Sequence, residues 1–167
     1  MISSAPLKPI SDEVVTAYER DGAVLLKGLI DIGWIELLAE AVEADKSEPG
    51  PMVRYNTPDG GAGDFFVDFQ LWERWDGARR FAIDGPGGAI AARMMGARSV
   101  CYYHDHLIVK EPGTPERTPW HHDQPYYPIE GSMVGSIWLP LDPVPKEICV
   151  EYIAGSHRWG KWFAPQF

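Results

Sequence analysis

No apolar run in this 167-residue chain reaches the ~18 residues that a membrane-spanning helix requires, so no transmembrane segment is expected. Cysteine is scarce: Cys101 and Cys149 stand far apart and form no metal or redox spacing, which makes a reduced, cytoplasmic compartment the natural reading. Basic residues are outnumbered, 15 Lys and Arg against 24 Asp and Glu, for a net charge of −9. That balance excludes a general nucleic-acid binder, which needs a basic surface to meet phosphates, but not an anionic substrate in a locally charged cleft. The first residues, Met1 to Lys8, lack a basic segment followed by an apolar run, so no secretory leader is read there. Asp59-Gly60-Gly61-Ala62-Gly63 is not followed by Gly-Lys-Ser/Thr, so it reads as a flexible turn rather than a phosphate cradle. There is no internal repeat and no low-complexity segment. All five histidines lie at position 104 or beyond, which confines imidazole chemistry to the C-terminal part of the chain.

What is present is enough for one domain: 45% of the residues are hydrophobic, with seven Trp and seven Tyr for core and rim. Ser11 is placed to cap a helix that opens with Asp12 and Glu13, carries Val14, Val15 and Tyr18, and stops at Gly22. Ala23 to Leu26 reads as a buried strand. A second helix is expected from about Asp31 to Asp45, with Trp34, Ile35, Leu38, Ala41 and Val42 on one side, ended by Glu48-Pro49-Gly50-Pro51. Asp64 to Trp75, rich in Phe and Trp, suggests a short helix or a lid. Pro86 to Met95 reads as a helix with Pro at its start and Gly96 at its end. From Ser99 the pattern turns to strands: Ser99 to Lys110, then Pro119 to Gln124, Met133 to Leu139 and Ile148 to Ile153. Residues 1–98 are thus a helical or mixed segment packing on a β-rich portion, 99–167, within one structural domain.

The tetrapeptide Trp120-His121-His122-Asp123 carries the sharpest chemical signal. In an extended strand, residues i and i+2 share a face, so His121 and Asp123 can hold one metal ion with His122 turned the other way. A His and a carboxylate are two-thirds of the facial triad that binds non-haem Fe(II) and leaves positions open. The remaining donor is harder to find. His157 is a weak candidate, because a Gly-Ser-His turn suits a loop anchor better. Arg158 is adjacent to it. His104 and His106 form another i, i+2 pair, read as a packed pair or as pocket lining. Lys110 reads as a solvated strand-end cation.

Several segments occur in order: Tyr103-His104-Asp105-His106 through Gly113, Thr118-Pro119-Trp120-His121-His122-Asp123-Gln124 through Tyr127, Ser136-Ile137-Trp138-Leu139-Pro140-Leu141-Asp142, and Gly155-Ser156-His157-Arg158-Trp159-Gly160. This succession resembles the phytanoyl-CoA dioxygenase family of Fe(II)/2-oxoglutarate-dependent oxygenases, strongly over about the last seventy residues and weakly before them. The resemblance implies an α+β fold: a double-stranded β-helix (jelly-roll, cupin-like) with the N-terminal helices packed outside. It implies His121 and Asp123 as iron ligands and catalytic residues, Trp138 beside the 2-oxoglutarate, and His122 near that cosubstrate. It further implies hydroxylation of a C–H bond of a small organic or acyl substrate by O2, with 2-oxoglutarate converted to succinate and CO2. Asp123 favours hydroxylation, since halogenating relatives lose this carboxylate.

The family's distal His and Arg belong after the Gly-Ser-His loop, and the chain stops at Phe167. Lys146-Glu147-Ile148-Cys149 replaces the usual Asn-Gly turn. Four or five strands are legible where a closed barrel of this kind needs about eight. The expectation is therefore a barrel incomplete at its C-terminus in a chain cut from a longer protein. Two alternatives follow. One is a truncated, inactive half-barrel acting as a binding module or a homo-oligomer through exposed strand edges. The other is a cupin-like metal protein using His104, His106 and His121.

Overall fold

A computed structural model describes residues 1–57, 63–114 and 117–164. Helix α1 (Asp12–Asp21) begins directly after Ser11, whose backbone is extended, with Asp12 and Glu13 at the positive end of its dipole. Gly22 ends it in the left-handed conformation (φ 83°), returning its N–H to the Tyr18 carbonyl at 2.7 Å. Helix α2 (Ile32–Ser47) is capped by Asp31, whose carboxylate accepts the Gly33 N–H at 3.0 Å, and it runs two residues past the expected end. Its Trp34 is buried edge-on against Phe81 and donates its indole N–H to the Ser3 carbonyl at 2.7 Å.

A three-stranded antiparallel sheet has the order β1-β2-β3: β1 (Arg54–Tyr55), β2 (Phe65–Phe69) and β3 (His106–Lys110). The register pairs Val67 with Ile108 and Phe69 with His106. Three more helices lie between β2 and β3: α3 (Leu71–Arg74), α4 (Asp76–Asp84) and α5 (Gly87–Met95). One core joins Leu29, Ile90 and Met94 to Val14, Val15 and Tyr18 of α1 and to Val24 and Leu26; a second joins Ala41, Leu71 and Ala78 to Trp72, Trp75 and Leu107. The two cores place α1 with α5, and α2 with α3, α4 and β3.

Several expectations are corrected. The aromatic stretch from Asp64 is a central strand followed by a helical turn, because Phe66 and Val67 are buried between two neighbouring strands. Ala23 to Leu26 is extended but unpaired among the described residues: Val24 and Leu26 pack inward while Leu25 stays 77% exposed. The strand expected from Ser99 begins only at His106. Upstream of it, Gln70 turns the neighbouring chain into α3 with φ 60°, so no ladder partner continues. There the Asp105 carboxylate accepts the amides of Leu71 and Trp72 at 2.7 and 3.0 Å, closing the start of α3 from outside. Met133 to Leu139 and Ile148 to Ile153 form no ladder in the described residues, and a 3-10 turn over Lys146–Ile148 occupies the start of the latter. The fold is mixed α/β with one small sheet; a double-stranded β-helix is not seen among the described residues. The Asp59–Gly63 turn, apart from Gly63, lies outside them.

Beneath the sheet sits a buried charged group. Asp45 of α2 and Asp68 of β2 are both 0% exposed. Arg74 of α3 donates to Asp45 Oδ1 at 2.5 Å, lies 3.6 Å from Asp68 Oδ2, and also meets the Glu48 carbonyl. Asp68 accepts the amides of Gly50 and Phe69, and Asp45 the Trp75 indole N–H at 2.8 Å. Burial, and next the neighbouring Asp68 charge, push the Asp45 carboxyl above its ordinary range against the opposing pull of Trp75 and Arg74.

Candidate metal site

His121 and Asp123 do converge, but not through strand alternation. The chain leaves Pro119 as a loop and tightens into a 3-10 turn over Gln124–Tyr126, with Asp123 already in the helical region (φ −71°, ψ −36°). This turn, closed by the Tyr126 amide on the Asp123 carbonyl at 3.0 Å, brings His121 Nε2 to 3.3 Å from Asp123 Oδ1. The Gln124 side chain donates to the Gly131 carbonyl at 2.7 Å and so folds the following loop back on the turn.

The tautomer follows from the partners. His121 Nδ1 lies 2.7 Å from the Pro119 carbonyl, which can only accept, so Nδ1 carries the hydrogen. In the neutral ring Nε2 is then an acceptor facing another acceptor, Asp123 Oδ1. A cation placed between the two lone pairs would turn this opposition into attraction. Two donors bound side by side to one metal ion at ~2.1 Å each stand roughly 3 Å apart, close to the separation found here. A metal-binding imidazole also commonly donates its other N–H to a backbone carbonyl, as His121 does. The pair therefore fits two neighbouring positions on one metal ion, and both side chains remain open to solvent, at 41% and 47% exposure.

The second oxygen of Asp123 accepts the Ser136 hydroxyl at 2.8 Å. Burial, and after it the Asp123 charge, raise the Tyr127 phenol above its ordinary range, with a Ser136 hydrogen bond partly opposing; Tyr152, 60% exposed, is raised too, by partial burial and then the same charge. Tyr126 stands edge-on to the His121 ring at 6.0 Å. None of Ser136, Tyr126, Tyr127 or Tyr152 stands out in the sequence as a site residue. Their only signal is that Tyr126, Tyr127 and Ser136 fall within the family-like runs, and for Tyr152 not even that.

His106 stacks on Phe69 (4.3 Å, 16°), and His104 stands edge-on to Tyr127 at 5.2 Å. Burial chiefly, then the His104 charge, hold His106 below its ordinary value, with Asp123 and Asp105 pulling the other way. No group of three His, Cys, Asp or Glu is placed to hold a metal among the described residues, so His104, His106 and His121 are not assembled into one. Trp138 is 47% exposed on its unpaired segment.

His157 lies elsewhere. The four last carbonyls of α1, which no helix can satisfy internally, all find donors. Gly22 N–H meets Tyr18. Gly155 N–H meets Asp21 at 2.8 Å, His157 Nε2 meets Glu19 at 3.1 Å, and Arg158 Nη2 meets Arg20 at 2.8 Å. The Gly-Ser-His turn is a loop anchor on a helix end. His122, between the two candidate donors, points away from them: its Nε2 accepts the Phe163 amide at 2.9 Å, and its ring meets Trp162 and Phe163. No helix among the described residues is long and apolar enough to cross a membrane.

The imidazole of His121 and the carboxylate of Asp123 thus converge on a side open to solvent. A family model, phytanoyl-CoA dioxygenase (PhyH), matches residues 18–167, and the chain belongs to that family. That family is in general one of non-haem iron oxygenases. Comparison with curated proteins and with solved structures returned no match.

Proposed function

We propose that this chain supplies the His-x-Asp side of an Fe(II)/2-oxoglutarate site and serves in hydroxylating a C–H bond of a small organic or acyl substrate, on a double-stranded β-helix framework. The observation that carries this reading is the 3.3 Å approach of His121 Nε2 to Asp123 Oδ1 with the His121 Nδ1 hydrogen committed to Pro119. Bound there, the iron and its cosubstrate would supply oxygen activation, converting 2-oxoglutarate to succinate and CO2 as the substrate is hydroxylated. The protein's residues do the rest. His121 and Asp123 hold the ion, the Pro119 carbonyl orients the imidazole, and Ser136 fixes the carboxylate. Trp138 would wall the cosubstrate, while Phe69 with His106, and Tyr127 with His104, form an aromatic flank beside the pair. Anaerobic addition of Fe(II) and 2-oxoglutarate tests the reading: a weak visible charge-transfer band that disappears in Asp123→Ala is expected, and a band equal in both proteins would refute it.

A second reading, a binding or self-associating module without catalysis, is favoured by one observation. Ile137, Trp138, Val150 and Tyr152 lie on segments with no ladder partner among the described residues and are exposed. Sedimentation that gives a monomer at high concentration would remove its self-associating form.

A further inference from the structure

The segment that caps α1 and the segment that meets His122 are the same stretch of chain. Gly155, His157 and Arg158 grip three successive carbonyls at the end of α1. Only a few residues on, Trp162 and Phe163 close on the His122 ring, and the Phe163 amide donates to its Nε2. An open hollow of about 340 Å³ is lined by Trp159, Lys161 and Phe163 along this stretch. His122 thus has its hydrogen-bonding direction taken by an element anchored on a helix more than a hundred residues earlier. Its two neighbours, on the same short turn, are left facing the other way.

We infer that residues 155–163 form a strap that sets the orientation of the His-x-Asp turn from helix α1, with His122 as its positioning residue. Residues 121–123 are a loop, not a strand, so no ladder of backbone hydrogen bonds fixes which way each side chain points. The Phe163 amide on His122 adds a constraint from behind, beside those that Pro119 places on His121 and Ser136 on Asp123. A glutamine, which also offers an acceptor at the end of a planar group, preserves it; a leucine keeps the bulk and loses the acceptor. The anchor at α1 acts through the strap and touches neither candidate donor. The orientation of the turn stands on this geometry alone; its consequence for metal rests on the function proposed above.

Two readouts on the intact chain separate these. Hydrogen exchange on the millisecond-to-second scale, without metal, follows the amides of residues 119–127. His122→Leu and the remote Arg158→Met are expected to speed exchange there about fivefold or more, while His122→Gln stays within about twofold of the parent. Co(II) titration then gives affinity: about tenfold weaker for His122→Leu and near parental for His122→Gln, at unchanged thermal midpoints. A purely structural role would instead lower the midpoint and leave the relative Co(II) affinities alone. Exchange over 119–127 that is the same in all four proteins overturns the strap. Exchange that changes as expected in a protein that never binds Co(II) upholds the strap and sinks the metal reading instead.

Discussion

Asp45→Ala should be among the most damaging single changes outside the site. The carboxylate is fully buried and holds two donors, the Arg74 guanidinium at 2.5 Å and the Trp75 indole N–H at 2.8 Å. Removing it forfeits a charge-assisted hydrogen bond, ~2 kcal/mol, and leaves the indole N–H without its partner, ~1 kcal/mol more. Arg74 keeps Asp68 and the Glu48 carbonyl, which limits the loss to about 3 kcal/mol. For a domain of this size that is a fall of roughly 6–12 °C in thermal midpoint. Asp45→Asn retains an acceptor for the indole and should lose less than half as much. The pH dependence adds a second check. The folded state binds the Asp45 proton more tightly than the unfolded chain does, because burial and Asp68 raise its carboxyl. Its contribution is therefore complete below the ordinary carboxylate value of 3.8 and is lost as pH rises through the raised folded value; Asp45→Asn removes that slope. Urea unfolding with a constant m-value measures both. A loss under about 0.5 kcal/mol for Asp45→Ala would refute the accounting.

Two further outcomes are expected. Gly22→Ala should lower stability by about 1–2 kcal/mol in urea, since its φ of 83° strains any side chain and a Cβ there would overlap the His157 ring; a neutral result would mean that the Gly-Ser-His anchor is not seated on α1. The folded chain binds the His106 proton less tightly than the unfolded chain. Stability should therefore rise with pH between its lowered folded value and the ordinary 6.5, and be lost as pH falls through that window. His106→Asn should flatten this part of the profile.

Local signals were legible where the chain's own chemistry decides them. Asp31 and Gly22 mark helix ends because capping needs only near neighbours, Ser11 takes the N-cap position of α1 without a side-chain cap bond, and Pro86 and Gly96 bracket α5. Strands fared worse, since a strand exists only where another pairs with it. The strands expected at Met133 to Leu139 and Ile148 to Ile153 find no partner among the described residues, while the Phe-rich run at 65–69 finds two. Helix α4 went unread because its Asp-Gly-Ala-Arg-Arg start looks like a surface turn; its burial rests on Ala78, packed beneath α2 and α3. At the site, the residue types and the two-residue spacing were legible, yet the geometry joining them was a turn and not a strand. Ser136 and Tyr152 were invisible because only folding brings them to Asp123.

The most direct test follows the five histidines by NMR while Co(II) is added to the parent chain and to Asp123→Asn. The account predicts that the His121 ring signals shift or broaden first, that those of His157 on helix α1 stay in place, and that Asp123→Asn weakens the effect at least tenfold. Perturbation of His157 or His104 before His121, or none at any histidine, would contradict it.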